Sequence, residues 1–290
     1  MIIAQLSGGF GNQLFQYAAA ISLAAHHKVP YKVDASLLLK PDIITGTVRT
    51  NELTKLSTQL NEAEKEEVAK FFNLSLPEKL SEKVLPFYKR LVYKEKSNKF
   101  DPKFFLAGPY TYIRGNRQSE QYFKRYETTI RSCFSISKKY RERVDDLAST
   151  IRNEQSISVH IRRGDYQTQI AQDWLGILPK SYYYLAISEF ASKILKAKFY
   201  IFTDDVDWVE ENLPMDHDHE IVSDNLSQNS IEDFYLMSQC RHNIIANSTF
   251  SWWAAWLNGH PDKIVIAPKQ WYQKKGMDTS DLIPESWIRM

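Results

Sequence analysis

Two adjacent arginines, a glycine and an aspartate follow directly on an apolar, β-prone run: Ile157 to Ile161 leads into Arg162-Arg163-Gly164-Asp165-Tyr166. A run of that kind reads as a buried strand whose carboxyl end delivers the polar residues. A guanidinium is a planar fork that keeps its charge and grips a phosphate through two parallel bonds, so a pair of them at a strand end points to an anion. Gly164 lets the backbone turn or come close to a ligand, and Asp165 is placed to orient an arginine or to take a proton. The plain alternative is an arginine pair held in surface salt bridges. Two more strand ends carry comparable groups. Phe199 to Thr203 precedes Asp204-Asp205, and Asn243 to Ala246 precedes Asn247-Ser248-Thr249-Phe250-Ser251. Strands of one parallel sheet point their carboxyl ends the same way, so the three ends converge if they share a sheet. Together with His160 they suit a nucleoside diphosphate. Arginines, hydroxyls and a helix N-terminus at Ser248 to Ser251 answer the phosphates. A carboxylate of Asp204 or Asp205 answers the paired N–H donors of a guanine edge, which adenine does not offer.

The elements that must position these groups are legible around them. Met1 to Leu6 reads as a first strand, Ser7 to Gln13 as a glycine loop, Leu14 to Ala25 as a buried helix and Val29 to Val33 as a second strand ending at Asp34. Gly9 and Gly11 supply two glycines of a dinucleotide fingerprint, but its third position holds Leu14; Asp34 stands where the ribose-binding acid of that motif would be. Asn12 and Gln13 offer amides to a sugar or a departing phosphate at the helix N-terminus, although Asn12 serves equally well as a helix cap. Asn61 to Asn73 and Ser137 to Asn153 read as helices, and the stretch from 74 to 103, with Pro77, Pro86, Pro102 and many lysines, as loops and short helices with a solvated face. Further on, helices at Ser181 to Ile194, Val206 to Asn212, Ser230 to Cys240 and from Trp252 alternate with strands at His219 to Val222 and Lys263 to Pro268. That alternation predicts a doubly wound parallel sheet. A division near the helix that ends at Asn153 gives an N-terminal domain 1–150 and a C-terminal domain 151–290.

The chain has 290 residues, 43% hydrophobic and 25% charged, with a net charge of +2. This balance fits a globular protein and excludes a field of one sign aimed at nucleic acid. Cys133 and Cys240 form no metal spacing and fit a reduced compartment. With no secretory signal and no apolar run of about 18 residues, the expectation is a cytoplasmic protein with no membrane span; peripheral membrane association stays open. Asp205-Val206-Asp207 and Asp216-His217-Asp218-His219 read as solvated acidic turns rather than metal sites. Trp252, Trp253, Trp256 and Tyr182 to Tyr184 read as core.

Four motifs in order now carry a family resemblance: Gly8-Gly9-Phe10-Gly11-Asn12-Gln13-Leu14-Phe15-Gln16-Tyr17, His160-Ile161-Arg162-Arg163-Gly164-Asp165-Tyr166, Phe202-Thr203-Asp204-Asp205 and Asn247-Ser248-Thr249-Phe250-Ser251-Trp252-Trp253. The chain resembles the α-1,2-fucosyltransferases of glycosyltransferase family 11. The resemblance implies a GT-B-like α/β fold of two Rossmann-like domains facing across a cleft. It also implies an inverting, metal-independent transfer of L-fucose from GDP-β-L-fucose, a donor substrate rather than a cofactor, to the 2-hydroxyl of a terminal galactoside. By the same resemblance Arg162 holds the β-phosphate with Arg163 in support, and His160 with Asp204 or Asp205 addresses the guanine. Ser248, Thr249 and Ser251 bond phosphate, while Asn12 with Gly11 lies near the fucose or leaving group. Asp165 is the candidate base, or else orients the arginines. Two other classes compete: a nucleotide-dependent oxidoreductase with a degenerate glycine loop, and a non-catalytic glycan-binding protein. Residues 36 to 130 match nothing that names an acceptor.

Overall fold

The computed structural model describes residues 1–42 and 44–290. The chain divides into two compact units, Met1–Ser135 with Asp278–Pro284, and Ile136–Met277 with Glu285–Met290.

The first unit is built on a parallel sheet of β1 (Ile2–Gln5), β2 (Tyr31–Asp34), β3 (Val92–Lys94) and β4 (Thr111–Arg114) in the order β2-β1-β4-β3. Its helices are α1 (Phe10–His27), α2 (Lys65–Ala69), α3 (Leu76–Val84) and α4 (Glu127–Cys133). α1 is apolar on most sides, and nearly all of its side chains are buried. It starts earlier than its alanine-rich composition predicts: Phe10, Gly11, Asn12 and Gln13 form its first turn, and Gly9 is the N-cap. Asn12 is therefore inside the helix and does not cap it. The tight turn falls on Gly8, whose φ of +70° favours glycine. β3 lies within the lysine- and proline-rich stretch, where three residues are too few to show an alternation against so many charges. α2 is only five residues, shorter than the helix predicted from 61 to 73, and it begins with a capping box of Glu64 and Glu67.

The second unit holds β5 (Ser156–Ile161), β6 (Lys198–Thr203), β7 (His219–Ile221), β8 (His242–Ile244), β9 (Val265–Ala267) and β10 (Ile288–Arg289). All pair in parallel in the order β10-β9-β8-β5-β6-β7. Its helices are α5 (Lys138–Arg141), α6 (Asp145–Asn153), α7 (Gln169–Trp174), α8 (Lys180–Lys193), α9 (Val206–Asn212), α10 (Ser230–Gln239) and α11 (Thr249–Leu257). The single helix predicted from 137 to 153 is thus broken, with a 3-10 turn at Glu142–Val144 between α5 and α6.

β5 is buried along its whole length, as an apolar strand covered on both faces must be. One face, with Ile157, Val159 and Ile161 beside Phe199 and Ile201, packs on Tyr182, Tyr183, Ala186, Ile187 and Phe190 of α8 and Val209 of α9. On the other face Ser158 accepts a hydrogen bond from Asn243 Nδ2 at 2.7 Å, and His160 meets the Phe250 ring of α11. The chain walks outward from β5 to β7, then returns beside β5 at β8 and walks the other way to β10. The winding reverses between β5 and β8, the switch point outside which open α/β sheets bind ligands.

Candidate active site

The arginine loop leaves the sheet at that switch point. Ile161 pairs with Thr203 and Val159 with Ile244, so Arg162 emerges level with Asp204 on one neighbour and with Asn247 on the other. The three strand ends picked out by their residue types are therefore adjacent edges of one sheet.

Arg162 is held by two carboxylates. Its Nη2 donates to Asp165 Oδ1 at 2.7 Å, and its Nη1 meets Asp204 Oδ2 at 2.8 Å. Burial disfavours its charge, but Asp204 and then Asp165 more than offset that and hold its pKa above the ordinary arginine value. A guanidinium has five N–H donors, so these contacts leave several for a ligand, and the side chain is 26% exposed. Arg163 is fixed differently. Its backbone N–H donates to Asp204 Oδ1 at 2.8 Å, its Nε to Asp205 Oδ2 at 2.9 Å, and its guanidinium lies 3.9 Å above the Trp208 ring. Asp205 also accepts the Trp208 N–H and so caps α9. Both aspartates thus engage the arginine loop. Among the described residues no group of three His, Cys, Asp or Glu side chains is arranged to hold a metal ion.

Gly164 is required by space. A Cβ built there would lie 2.7 Å from Asp204 Oδ2, an oxygen that Arg162 pins. Behind the loop the Tyr166 hydroxyl donates to the Asn247 carbonyl at 3.1 Å. The Asn247 amide in turn donates to the carbonyls of Leu175, Gly176 and Trp271. Ser248 is the N-cap of α11 and accepts the Phe250 N–H at 3.3 Å, while the Ser251 hydroxyl donates back to the Ser248 carbonyl. No acidic residue occupies the first turn of α11, so the positive end of its dipole is not neutralised there. Ser248 and Ser251 are buried and Thr249 is half-buried; all three hydroxyl-bearing residues stand at this helix start.

His160 lies below this surface, 4% exposed, with its ring 5.7 Å from that of Phe250 and no hydrogen-bond partner on Nδ1. Burial, reinforced by Arg162, pushes its pKa down to about 3, so the imidazole is neutral at physiological pH.

Asn12 and Gly11 belong to the first unit. Asn12 Oδ1 accepts from Gln118 Nε2 at 2.9 Å, Gln13 Nε2 donates to the carbonyls of Gly8 and Thr50, and Gln13 Oε1 accepts the Glu52 N–H. Gln13 is thus a brace of the glycine loop, and Gly11 is buried in the first turn of α1. Asp34 is buried and accepts the Tyr112 hydroxyl and the Ser36 N–H. Its engagement removes the acid that a dinucleotide fingerprint needs.

The sequence reading missed Trp208 as the platform under Arg163, and it missed a relay behind β6. There the Thr203 N–H donates to Ser223 Oγ at 2.9 Å, and Ser223 and Ser227 both donate to Asp233. Neither carries a sequence signal: a tryptophan in a short helix and serines near a strand are read first as core and turn.

The description of glycosyl transferase family 11 matches residues 1–290, the full chain. The chain belongs to glycosyltransferase family 11. It is similar to an α-1,2-colitosyltransferase of Escherichia coli, 30% identical over 100% of this chain and 99% of that protein, and to the O-antigen biosynthesis glycosyltransferase WbnK of Escherichia coli, 30% identical over 98% and 99%. A galactoside α-(1,2)-fucosyltransferase 1 of Saimiri boliviensis boliviensis is 29% identical over 53% of this chain and 44% of that one. Among solved structures, NodZ α-1,6-fucosyltransferase soaked with GDP-fucose matches with a TM-score of 0.51 at 15% identity, covering 88% of this chain and 91% of that one. A mutant of Arabidopsis thaliana FUT1 in complex with GDP matches with a TM-score of 0.52 at 10% identity, over 92% and 70%. The family 11 chain is accordingly a glycosyltransferase with α-1,2-transferring relatives and a GT-B-like α/β fold. Family membership sets aside the oxidoreductase and the non-catalytic glycan-binding readings. Among the described residues no helix is long and apolar enough to cross a membrane.

Proposed function

We propose that the chain transfers L-fucose from GDP-β-L-fucose to the 2-hydroxyl of a terminal galactoside, with inversion and without a metal ion. The observation that carries the reading is Arg162, fixed by Asp165 and Asp204 at the sheet's switch point beside the N-terminus of α11. As GDP departs, charge develops on the β-phosphate. A pre-oriented guanidinium answers that charge without reorganising, and the helix dipole adds to it. In-line attack by the acceptor hydroxyl on the anomeric carbon, through an oxocarbenium-like transition state, gives inversion.

Arg163 supports the diphosphate from its seat on Trp208. Ser248, Thr249 and Ser251 present the helix start, His160 backs Phe250 as a neutral group, and Asp204 and Asp205 set the loop from which the guanine is addressed. For Asn12 with Gly11 the family resemblance implies a role near the sugar or leaving group. Asp165 acts on Arg162 rather than as a free base, because its carboxylate is engaged at 2.7 Å. The names of the relatives support an α-1,2 linkage, and the full-length similarity to a colitosyltransferase favours one second reading, a colitosyl donor in place of fucose. The cytoplasm is the proposed compartment.

The test is incubation with GDP-fucose or a colitosyl donor and an array of β-galactosides in excess EDTA, with linkage and anomeric analysis of the product. An α-1,2-fucosyl galactoside supports the proposal. A product only from the colitosyl donor replaces the sugar. Turnover that requires added Mn²⁺ overturns the metal-free mechanism.

A further inference from the structure

An exposed apolar stripe runs along α3. Leu76, Leu80 and Val84 are 77%, 64% and 86% exposed, and their four-residue spacing sets them on one side of the helix. The other side is tied to its own unit. The Glu82 carboxylate accepts the Leu91 N–H at 2.9 Å, while Arg90 donates to the carbonyls of Leu85 and Lys83. A capping box of Ser75 and Glu78 starts the helix. α3 is therefore well formed and anchored through its polar edge, with none of its residues buried. Large apolar side chains gathered on such a face mark an interaction surface rather than a folding one.

The charge around the stripe identifies the partner. Residues 76 to 103 carry eight basic and four acidic side chains. Three of the acids are half-buried and engaged: Glu82 holds Leu91, Glu95 accepts the Asn116 and Arg117 N–H groups, and Asp101 accepts the Tyr93 hydroxyl and the Lys103 N–H; Glu78 closes the capping box and is the one exposed acid of the stretch. Lys79, Lys83, Lys89 and Lys94 are exposed, and the first two border the stripe on α3 itself. The outer surface is thus more positive than the net charge of the chain. A nine-residue helix offers far less than the roughly 1,000 Å² that a stable protein interface buries. A bilayer suits it, because shallow apolar insertion and lysine attraction to anionic headgroups add together.

We propose that α3 docks on an anionic phospholipid surface, with Leu76, Leu80 and Val84 entering the headgroup boundary and the lysines meeting lipid phosphates. The proposal does not rest on the choice of donor or acceptor. It is tested by flotation of the whole chain with vesicles of phosphatidylethanolamine and phosphatidylglycerol, against phosphatidylcholine alone. The chain is expected to float with the anionic vesicles at low salt and to be released as salt rises. Leu76→Ser/Leu80→Ser/Val84→Ser should lower binding at least about tenfold, and Lys79→Gln/Lys83→Gln several-fold; both should keep the wild-type melting temperature, since they alter exposed positions. Failure to bind anionic vesicles, equal binding to both vesicle types, or full binding by the triple serine variant overturns it. So does a dimer in sedimentation that the triple variant dissociates, because a second copy would then own the stripe.

Discussion

Arg162 and Asp204 leave adjacent strands side by side, one residue beyond the Ile161–Thr203 pair that ends the β5–β6 register, and close an ion pair of 2.8 Å. The second oxygen of Asp204 accepts the Arg163 N–H. One carboxylate therefore fixes both the guanidinium and the backbone of the loop that carries it. Asp204→Asn keeps the shape but weakens both contacts. Charge-assisted hydrogen bonds are worth about 1.5–3 kcal/mol each, so turnover is expected to fall about 10- to 100-fold, with the melting temperature moving by only a few degrees. Steady-state kinetics with a GDP-release readout, together with a thermal melt, checks the pair of outcomes; a variant with unchanged turnover would remove Asp204 from the positioning of Arg162.

Gly164→Ala attacks the same contact by sterics alone. The new Cβ would lie 2.7 Å from Asp204 Oδ2, and that oxygen cannot swing away without breaking its ion pair to Arg162. Calorimetric titration with GDP should show weakened binding in a protein that is still folded. Wild-type affinity would mean that the loop absorbs a methyl group without loss.

Asp165 separates positioning from proton transfer. Because its carboxylate is engaged by Arg162, Asp165→Asn should lower kcat and leave the acidic limb of the pH–rate profile where it is. A general base would instead take that limb with it when replaced. Disappearance of the limb in the variant would reinstate Asp165 as the base.

Stability should fall on the acid side through His160. Its folded pKa is pushed down to about 3 while the unfolded histidine titrates near 6.5. The unfolded chain therefore takes up the proton first, and stability present above about pH 6.5 is lost as pH falls toward 3. His242, pushed down to about 4 by burial, adds to this loss. Asp233 opposes it between about 4 and 6, because burial raises its folded pKa to about 6 and protonation there favours the folded state. Urea midpoints at pH 7 and pH 5 measure the balance, and His160→Gln should shrink the difference. A variant that loses as much stability as wild type between those pH values would contradict the assignment.

Gly8→Ala tests the glycine loop of the first unit. Its φ of +70° and a Cβ that would lie 2.4 Å from Asn12 Nδ2 make the substitution strained twice over. The expected cost is about 1–2 kcal/mol for the backbone alone, read as a lower urea midpoint. An unchanged midpoint would show that the turn relaxes freely.

The strand ends of the second unit were legible because their signals are local. β5 and β6 are apolar runs that stop at charged residues, and parallel strands bring such stops to one edge. What pairs with what was not legible. Asp204 and Asp205 read equally well as guanine acceptors or arginine partners, and only the β5–β6 register brings Asp204 within reach of Arg162. Trp208 and the Ser223–Ser227–Asp233 relay carry no pattern that separates them from core and turn. In the first unit, Phe10 to Gln13 read as loop because Gly11 follows closely on Gly8 and Gly9 and glycine lowers helix propensity, yet burial of Phe10 and the bracing by Gln13 pull the helix back to Gly9. β3 was hidden because its three residues sit among lysines and prolines, and its pairing with β4, not its composition, makes it a strand.

The central claim is that Arg162 neutralises the departing diphosphate, and single-turnover GDP release from GDP-fucose in the presence of a β-galactoside measures it most directly. Removal of a pre-oriented donor to developing charge costs about 10²–10³ in rate. Arg162→Ala should show a loss of that order or more, and Arg162→Lys should restore little, because a point charge cannot replace a fork held by two carboxylates. Near-wild-type release by Arg162→Ala, in a protein whose melting temperature is unchanged, would contradict the account.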